Sequence, residues 1–170
     1  MPSLSLVLYP DPRLRQRSGE IEPDALKAPA FSVLLNDMRL TMKKYKGIGL
    51  AAVQVGVMQR VAIIETKDGI LPLINPKILK RSWRKETDDE GCLSIPGVFG
   101  PVKRYYEITI STLTPNGEKQ EVYAKGLFAR VIQHEIDHMD GVLFTDLAPT
   151  LRMDGKIITA ADLDTITFSA

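Results

Sequence analysis

The sequence predicts an α+β domain, and three observations carry that prediction: an amphipathic helix early in the chain, paired extended segments through its middle, and a second helix on the carboxyl side. The first element is "FSVLLNDMRLTMKKYKG", where Phe31, Leu34, Leu35, Met38, Met42 and Tyr45 recur at helical spacing and Gly47 is the expected stop. Such a helix should pack its apolar face on a sheet. Residues 59–65, "QRVAIIE", are apolar and β-branched, "TKDG" supplies turn chemistry, and "ILPLINP" resumes an extended pattern. A second strand pair, "YYEITISTL" and "EKQEVYAKG", flanks the Pro-Asn-Gly of "TPNG". From Leu127 to Met139 the periodicity is helical again, and Asp140-Gly141 ends it, because glycine accepts the left-handed conformation that follows a helix. The segment after Pro149 gives weak signals, so residues 150–170 are assigned no role.

A chain of 170 residues is long enough for one well-buried core, and a single domain over 1–170 is expected. With 44% apolar residues, 25% charged residues and a net charge of +1, neither disorder nor a polyanion-binding surface is indicated, so no direct nucleic-acid partner is expected. No apolar run approaches the length of a membrane span, and the amino-terminal stretch lacks a basic start followed by an apolar core. A cytoplasmic protein without a membrane partner is expected; an organellar home would require a targeting segment already removed. The lone cysteine, Cys92, has no partner for an internal disulfide, which fits a reducing compartment and leaves its thiol available for chemistry.

Both histidines of the chain lie in "QHEIDHMDG". On a helix, residues four apart share a face about 6 Å apart along the axis, so His134 and His138 can converge on one ion. Glu135 is rotated by about 100° from His134, which sets its carboxylate beside such an ion, placed to exchange protons with a water there. Cys92, in "EGCLSIPG", is the only other soft donor; Gly91 permits close backbone approach, and Pro96 with Gly97 limits the local conformations. A lone cysteine taken by itself is more often a small buried hydrophobe than a ligand. Structural zinc sites are usually closed by four nitrogen or sulfur ligands, whereas the sequence offers three, and Asp137 and Asp140 lack the face geometry to supply a fourth. An open, catalytic metal position follows.

The stretch "GIGLAAVQVG", residues 47–56, is rich in glycine and alanine that core filling does not explain, and these residues would let backbone approach a ligand. Gln54 brings an amide donor suited to a developing oxyanion. A tight helix-to-strand connection with an exposed glutamine accounts for the same residues equally well.

Taken together, "GIGLAAVQ", "EGCLS" and "HEIDH" resemble the peptide deformylases; all three motifs are complete and in order, and "YPDPRLR" and "PLINP" extend the likeness from about residue 6 to about residue 147. The resemblance implies antiparallel β-sheets packed around a central metal-binding helix. It implies that Cys92, His134 and His138 hold one divalent ion, Fe2+ in the cell with Zn2+, Ni2+ or Co2+ able to occupy a purified sample; the donor set alone suits zinc. The partners implied are N-formylmethionyl nascent peptides, met at the ribosome. Glu135 would act as general base and acid, and Gln54 and the Leu93 N–H would stabilise the oxyanion. Ile48, Gly49 and Gly91 would offer backbone groups to an extended peptide. The methionine side chain would enter an apolar pocket near Leu127 and Val131, with Arg130 contributing its stem or pointing to solvent. Phe99 stands where a basic residue is common in bacterial members, and the long charged carboxyl-terminal helix of the best-known branch is absent, so docking through that element does not carry over. Two rival readings are a zinc peptidase, which would cut casein but would normally need a third histidine or glutamate, and a structural metal clip, in which Glu135 would be dispensable.

Overall fold

The computed structural model describes residues 3–169. Two helices, α1 (Pro23–Leu26) and α2 (Pro29–Lys44), precede the first strand. Helix α2 buries Phe31, Met38 and Met42 as its periodicity predicts, but its stop differs from expectation. Lys46, not Gly47, takes the left-handed conformation (φ 57°), while the Gly47 N–H caps the Met42 carbonyl at 2.9 Å. Gly47 also leaves room for Leu93, whose Cδ1 would lie 2.7 Å from a Cβ at this position.

The first sheet contains β1 (Gly49–Ala51), β2 (Val61–Thr66), β3 (Gly69–Arg81), β6 (Glu107–Leu113) and β7 (Lys119–Lys125), antiparallel in that spatial order. The second is built from β4 (Lys85–Cys92), β5 (Ile95–Tyr105), β8 (Leu151–Met153) and β9 (Lys156–Ile158), also antiparallel. Helix α3 (Leu127–Met139) lies between them, touching β1, β2 and β7 of one sheet and β5 of the other. Two short helices, α4 (Phe144–Leu147) and α5 (Ala160–Thr165), complete the chain. The expected α+β class and the sheets around one helix are present as implied.

Strand β2 shows why its run is apolar throughout. Ala62 and Ile64 face α3, together with Ile132, Ile136 and Met139, whereas Val61 and Ile63 face α2. Burying each such aliphatic side chain contributes about 1.5–3 kcal/mol. Strand β3 runs past Pro76, beyond the extended "ILPLINP", because a bulge absorbs the proline: Asn75 adopts φ 48°, its side chain bonds both backbone groups of Ile21, and pairing with β6 resumes at Lys77.

Residues after 150 do have a structural role, contrary to expectation. Strand β8 pairs with β5, and Leu151 and Leu163 join Val7, Leu14, Ile95, Val98, Val102, Leu143 and Phe144 in a third core beneath the second sheet. Sparse apolar residues spread over β8, β9 and α5 hide this in the sequence, since no element is long enough to show a period.

Candidate metal centre

Cys92 closes β4 at a two-residue turn, Leu93-Ser94, across which it pairs with Ile95. It is therefore the end of a strand and not part of a loop. Helix α3 carries the other donors. Its end is fixed by Gly141 (φ 76°) and by the Val142 N–H on the Asp137 carbonyl at 2.9 Å, and its flank by Gln133, whose amide bonds both backbone groups of Tyr105. Hairpin and helix meet where predicted: the donor atoms of Cys92, His134 and His138 all lie within 4.8 Å of one another. Cys92 Sγ is 3.1 Å from His138 Nε2, and the two imidazoles stand edge to face.

The donors are held from behind. Glu90 is buried, and Arg104 grips it with Nε on Oε1 at 2.8 Å and Nη2 on Oε2 at 2.9 Å. Burial alone would favour the neutral acid, but the hydrogen bonds from Arg104 and His134 outweigh it and hold Glu90 well below the usual carboxylate range. A carboxylate without a proton can only accept, so the 2.9 Å contact is His134 Nδ1–H donating to Glu90 Oε2, which leaves the Nε2 lone pair for an ion. Arg104 also pairs with Asp137, which accounts for that residue without metal ligation.

Cys92 resists ionisation through burial, yet the positive field of His138 and hydrogen bonds from both histidines bring it down to about 5. Burial opposes charge on His134 as well, and the hydrogen bonds with Cys92 and Glu90 lift it to about 10. The metal-free cluster thus holds a thiolate beside an imidazolium, and a divalent ion fits by replacing that proton.

Glu135 is 3% exposed, and burial lifts its carboxyl to about 7 against the pull of both histidines. Oε2 has no hydrogen-bond partner among the described residues. The thiolate and two imidazoles suit a divalent ion, and this unpartnered oxygen beside them suits a water.

A cleft of about 620 Å³ opens over the cluster and is lined by all the predicted site residues except His138: Ile48, Gly49, Gln54, Gly91, Cys92, Leu93, Leu127, Val131, His134 and Glu135. His138 lies behind it, buried. An apolar groove of about 700 Å³ adjoins the cleft and shares Ile48, Leu127 and Val131 with it. The cleft also touches β1 and β4, each an edge strand of its sheet. The Ile48 carbonyl accepts the Glu65 N–H at 2.9 Å, which ties the residue before β1 to β2 at the cleft edge.

Gln54 corrects one expectation. It is buried, held by the Ala51 N–H on Oε1 at 2.9 Å, and Nε2 donates to Ser94 Oγ at 3.1 Å and towards Cys92 Sγ at 3.4 Å. The neighbouring Ala51 and Ala52 are fully buried core residues, so core filling does explain them. Small size matters most at Gly49, where a Cβ would sit 2.9 Å from Val131 Cγ1 and inside contact distance of the Glu135 carboxylate. Gly49→Ala should therefore push Glu135 aside and lower kcat about a hundredfold at unchanged metal content; a parental rate of formate release would show that the cleft floor yields freely.

Two further residues depart from expectation. The Arg130 guanidinium is not in solvent but buried on Glu90, while the residue lines the cleft beside Leu127 and Val131. Phe99 lays its ring over Gly91, where a Cβ would come within 2.7 Å of it, and so forms the cleft rim. Sequence reading missed the roles of Glu90, Arg104 and Ser94. Glu90 and Cys92 share a face if residues 85–92 are a strand, but the local pattern leaves a rigid loop and a short strand equally open there.

Proteins of this architecture, with such a cluster at the floor of a cleft, fall in the class of metal-dependent hydrolases. Residues 3–153 match the family model described as polypeptide deformylase. A peptide deformylase of Nitrosococcus oceani is 45% identical over 155 residues, 89% of this chain and 90% of that one. Among solved structures, the class I type b peptide deformylase of Acinetobacter baumannii with Met-Ala-Ser bound superposes with TM-score 0.82 at 30% identity, over 86% of this chain and 98% of that one. The Thermotoga maritima peptide deformylase gives TM-score 0.82 at 34% identity, over 87% and 99%. The chain belongs to the peptide deformylase family, enzymes that remove the N-formyl group from newly made polypeptides.

Proposed function

We propose that the chain, acting over 1–170 as one catalytic domain, deformylates N-formylmethionyl nascent peptides with Cys92, His134 and His138 as ligands of one divalent ion and Glu135 as general base and acid. The convergence of one thiolate and two imidazoles beside a buried carboxylate with an unpartnered oxygen carries this reading. A divalent ion held there supplies Lewis acidity and eases deprotonation of water near neutral pH. Glu135 takes a proton from the water attacking the formyl carbon and passes it to the departing amine, a transfer open to a buried carboxyl with an unpartnered oxygen. Gln54 Nε2, anchored by Ser94 and with its Oε1 held by Ala51, turns its second N–H from Cys92 Sγ to the developing oxyanion, and the Leu93 N–H donates beside it.

The two edge strands at the cleft favour a peptide bound extended between them, with Gly49 and Gly91 at close approach, Ile48 alongside, and the methionine side chain against Leu127 and Val131. Fe2+ is the ion proposed for the cell, with Zn2+, Ni2+ or Co2+ as substitutes, and the substrates are peptides leaving the ribosome in the cytoplasm. No helix among the described residues is long and apolar enough to cross a membrane.

The test is formate release from formyl-Met-Ala-Ser by the chain loaded with each ion, beside a casein digest. Release with casein intact is expected. No formate with any ion, or internal cleavage of casein, would overturn the reading. Metal analysis after anaerobic purification addresses the ion, and full activity with zinc alone would reject iron.

A further inference from the structure

The reaction above leaves Arg130 unused. It stands one helical turn before His134 on α3 and borders the cleft, yet it is only 7% exposed. Nη1 donates to Glu90 Oε1 at 2.7 Å and to the Val102 carbonyl at 2.8 Å, and Nη2 donates to the Glu86 carbonyl at 2.8 Å. One side chain of the metal-bearing helix therefore ties together β4, β5 and the carboxylate behind His134.

Charge compensation does not call for this arginine, because Arg104 already pairs with Glu90 through both oxygens. What Arg130 adds is a tie to the helix. Its donor anchors Oε1 from α3, so the carboxylate that Arg104 grips at both oxygens is also fixed relative to the helix that carries His134. Its bonds to Glu86 and Val102 also hold both strands of the hairpin bearing Cys92 against the helix carrying both imidazoles.

We propose that Arg130 is a positioning residue of the metal centre, which acts through Glu90 to hold the His134 ring, and with it the Cys92 hairpin, at the spacing a divalent ion requires. The inference rests on Cys92, His134 and His138 being the ligands.

The experiment is chelator competition on the full chain loaded with Co2+, followed by the thiolate-to-cobalt absorption band. Arg130→Met keeps the stem and removes the guanidinium; Co2+ affinity is expected to fall about 10- to 100-fold, while KM for formyl-Met-Ala-Ser at saturating Co2+ stays within about twofold. Arg130→Lys, which keeps a cation near Glu90 but cannot reach both carbonyls, should fall between Arg130→Met and the parent. In a Glu90→Gln background, adding Arg130→Met should change affinity by less than about threefold, because the two residues act in series. Parental Co2+ affinity in folded Arg130→Met, or in Arg130→Lys should the first variant not fold, overturns the inference, as do independent losses in the double variant. A parent chain without an absorption band that Cys92→Ser abolishes would instead defeat the ligand assignment itself.

Discussion

Glu135→Gln loses about three orders of magnitude in kcat for formate release while keeping its divalent ion, within the range that one positioned acid–base group supplies. The substitution is nearly isosteric, so the packing against Gly49 and Val131 survives and the ligand atoms of Cys92, His134 and His138 stay in place. What disappears is a buried carboxylate with an unpartnered oxygen. An amide cannot accept the proton of the attacking water, so the rate falls while KM for formyl-Met-Ala-Ser changes little. Formate release at saturating substrate, measured with metal content on the same sample, decides the matter, and equal rates would remove Glu135 from the chemistry. The same result separates the enzyme from a metal clip, in which the variant would behave as the parent does.

Cys92→Ser should weaken divalent-ion binding by about two orders of magnitude, since one of a few ligands carries its share of a binding free energy on the order of 10 kcal/mol. A hydroxyl is harder than sulfur and does not ionise near neutrality, whereas this thiol is brought to about 5 by the histidines. Formate release should vanish after dialysis against a chelator and return in part at high added metal. Dialysed Cys92→Ser that retains one ion per chain would show that the sulfur is not a ligand. His134 in this variant loses its thiolate partner but keeps the Glu90 bond, so the fold should persist without metal.

Much of this was legible in the sequence for a physical reason. Histidines one turn apart on a helix with clear apolar periodicity have few arrangements, and α3 spans the expected 127–139. Strands β2, β6 and β7 were legible because alternation or continuous burial marks them. Strand β4 was not: "KETDDEGC" lies at a sheet edge, where five successive exposed residues guard against unwanted pairing and erase the period. Strand β5 was obscured by the prolines and glycines of "IPGVFGP", which read as turn chemistry although Val98, Gly100, Val102 and Arg104 alternate inward. The metal triad was therefore readable from its donors, while Glu90 and Arg104 behind it depended on a hairpin that local pattern does not reveal. Phe99 and Arg130 could be assigned only in three dimensions, because each acts on a residue from another segment.

The third core has a temporal consequence. The hairpin bearing Cys92 rests on Val7 and Leu14 from one extreme of the chain and on Leu151, Leu163 and Phe168 from the other. Contacts that span so much sequence form late, after the entropy of closing long loops has been met. A copy still in synthesis at residue 150 carries the helix with both imidazoles but lacks part of the support under its sulfur ligand. Support for the sulfur ligand is thus in place only once residues 151–168 have joined that core.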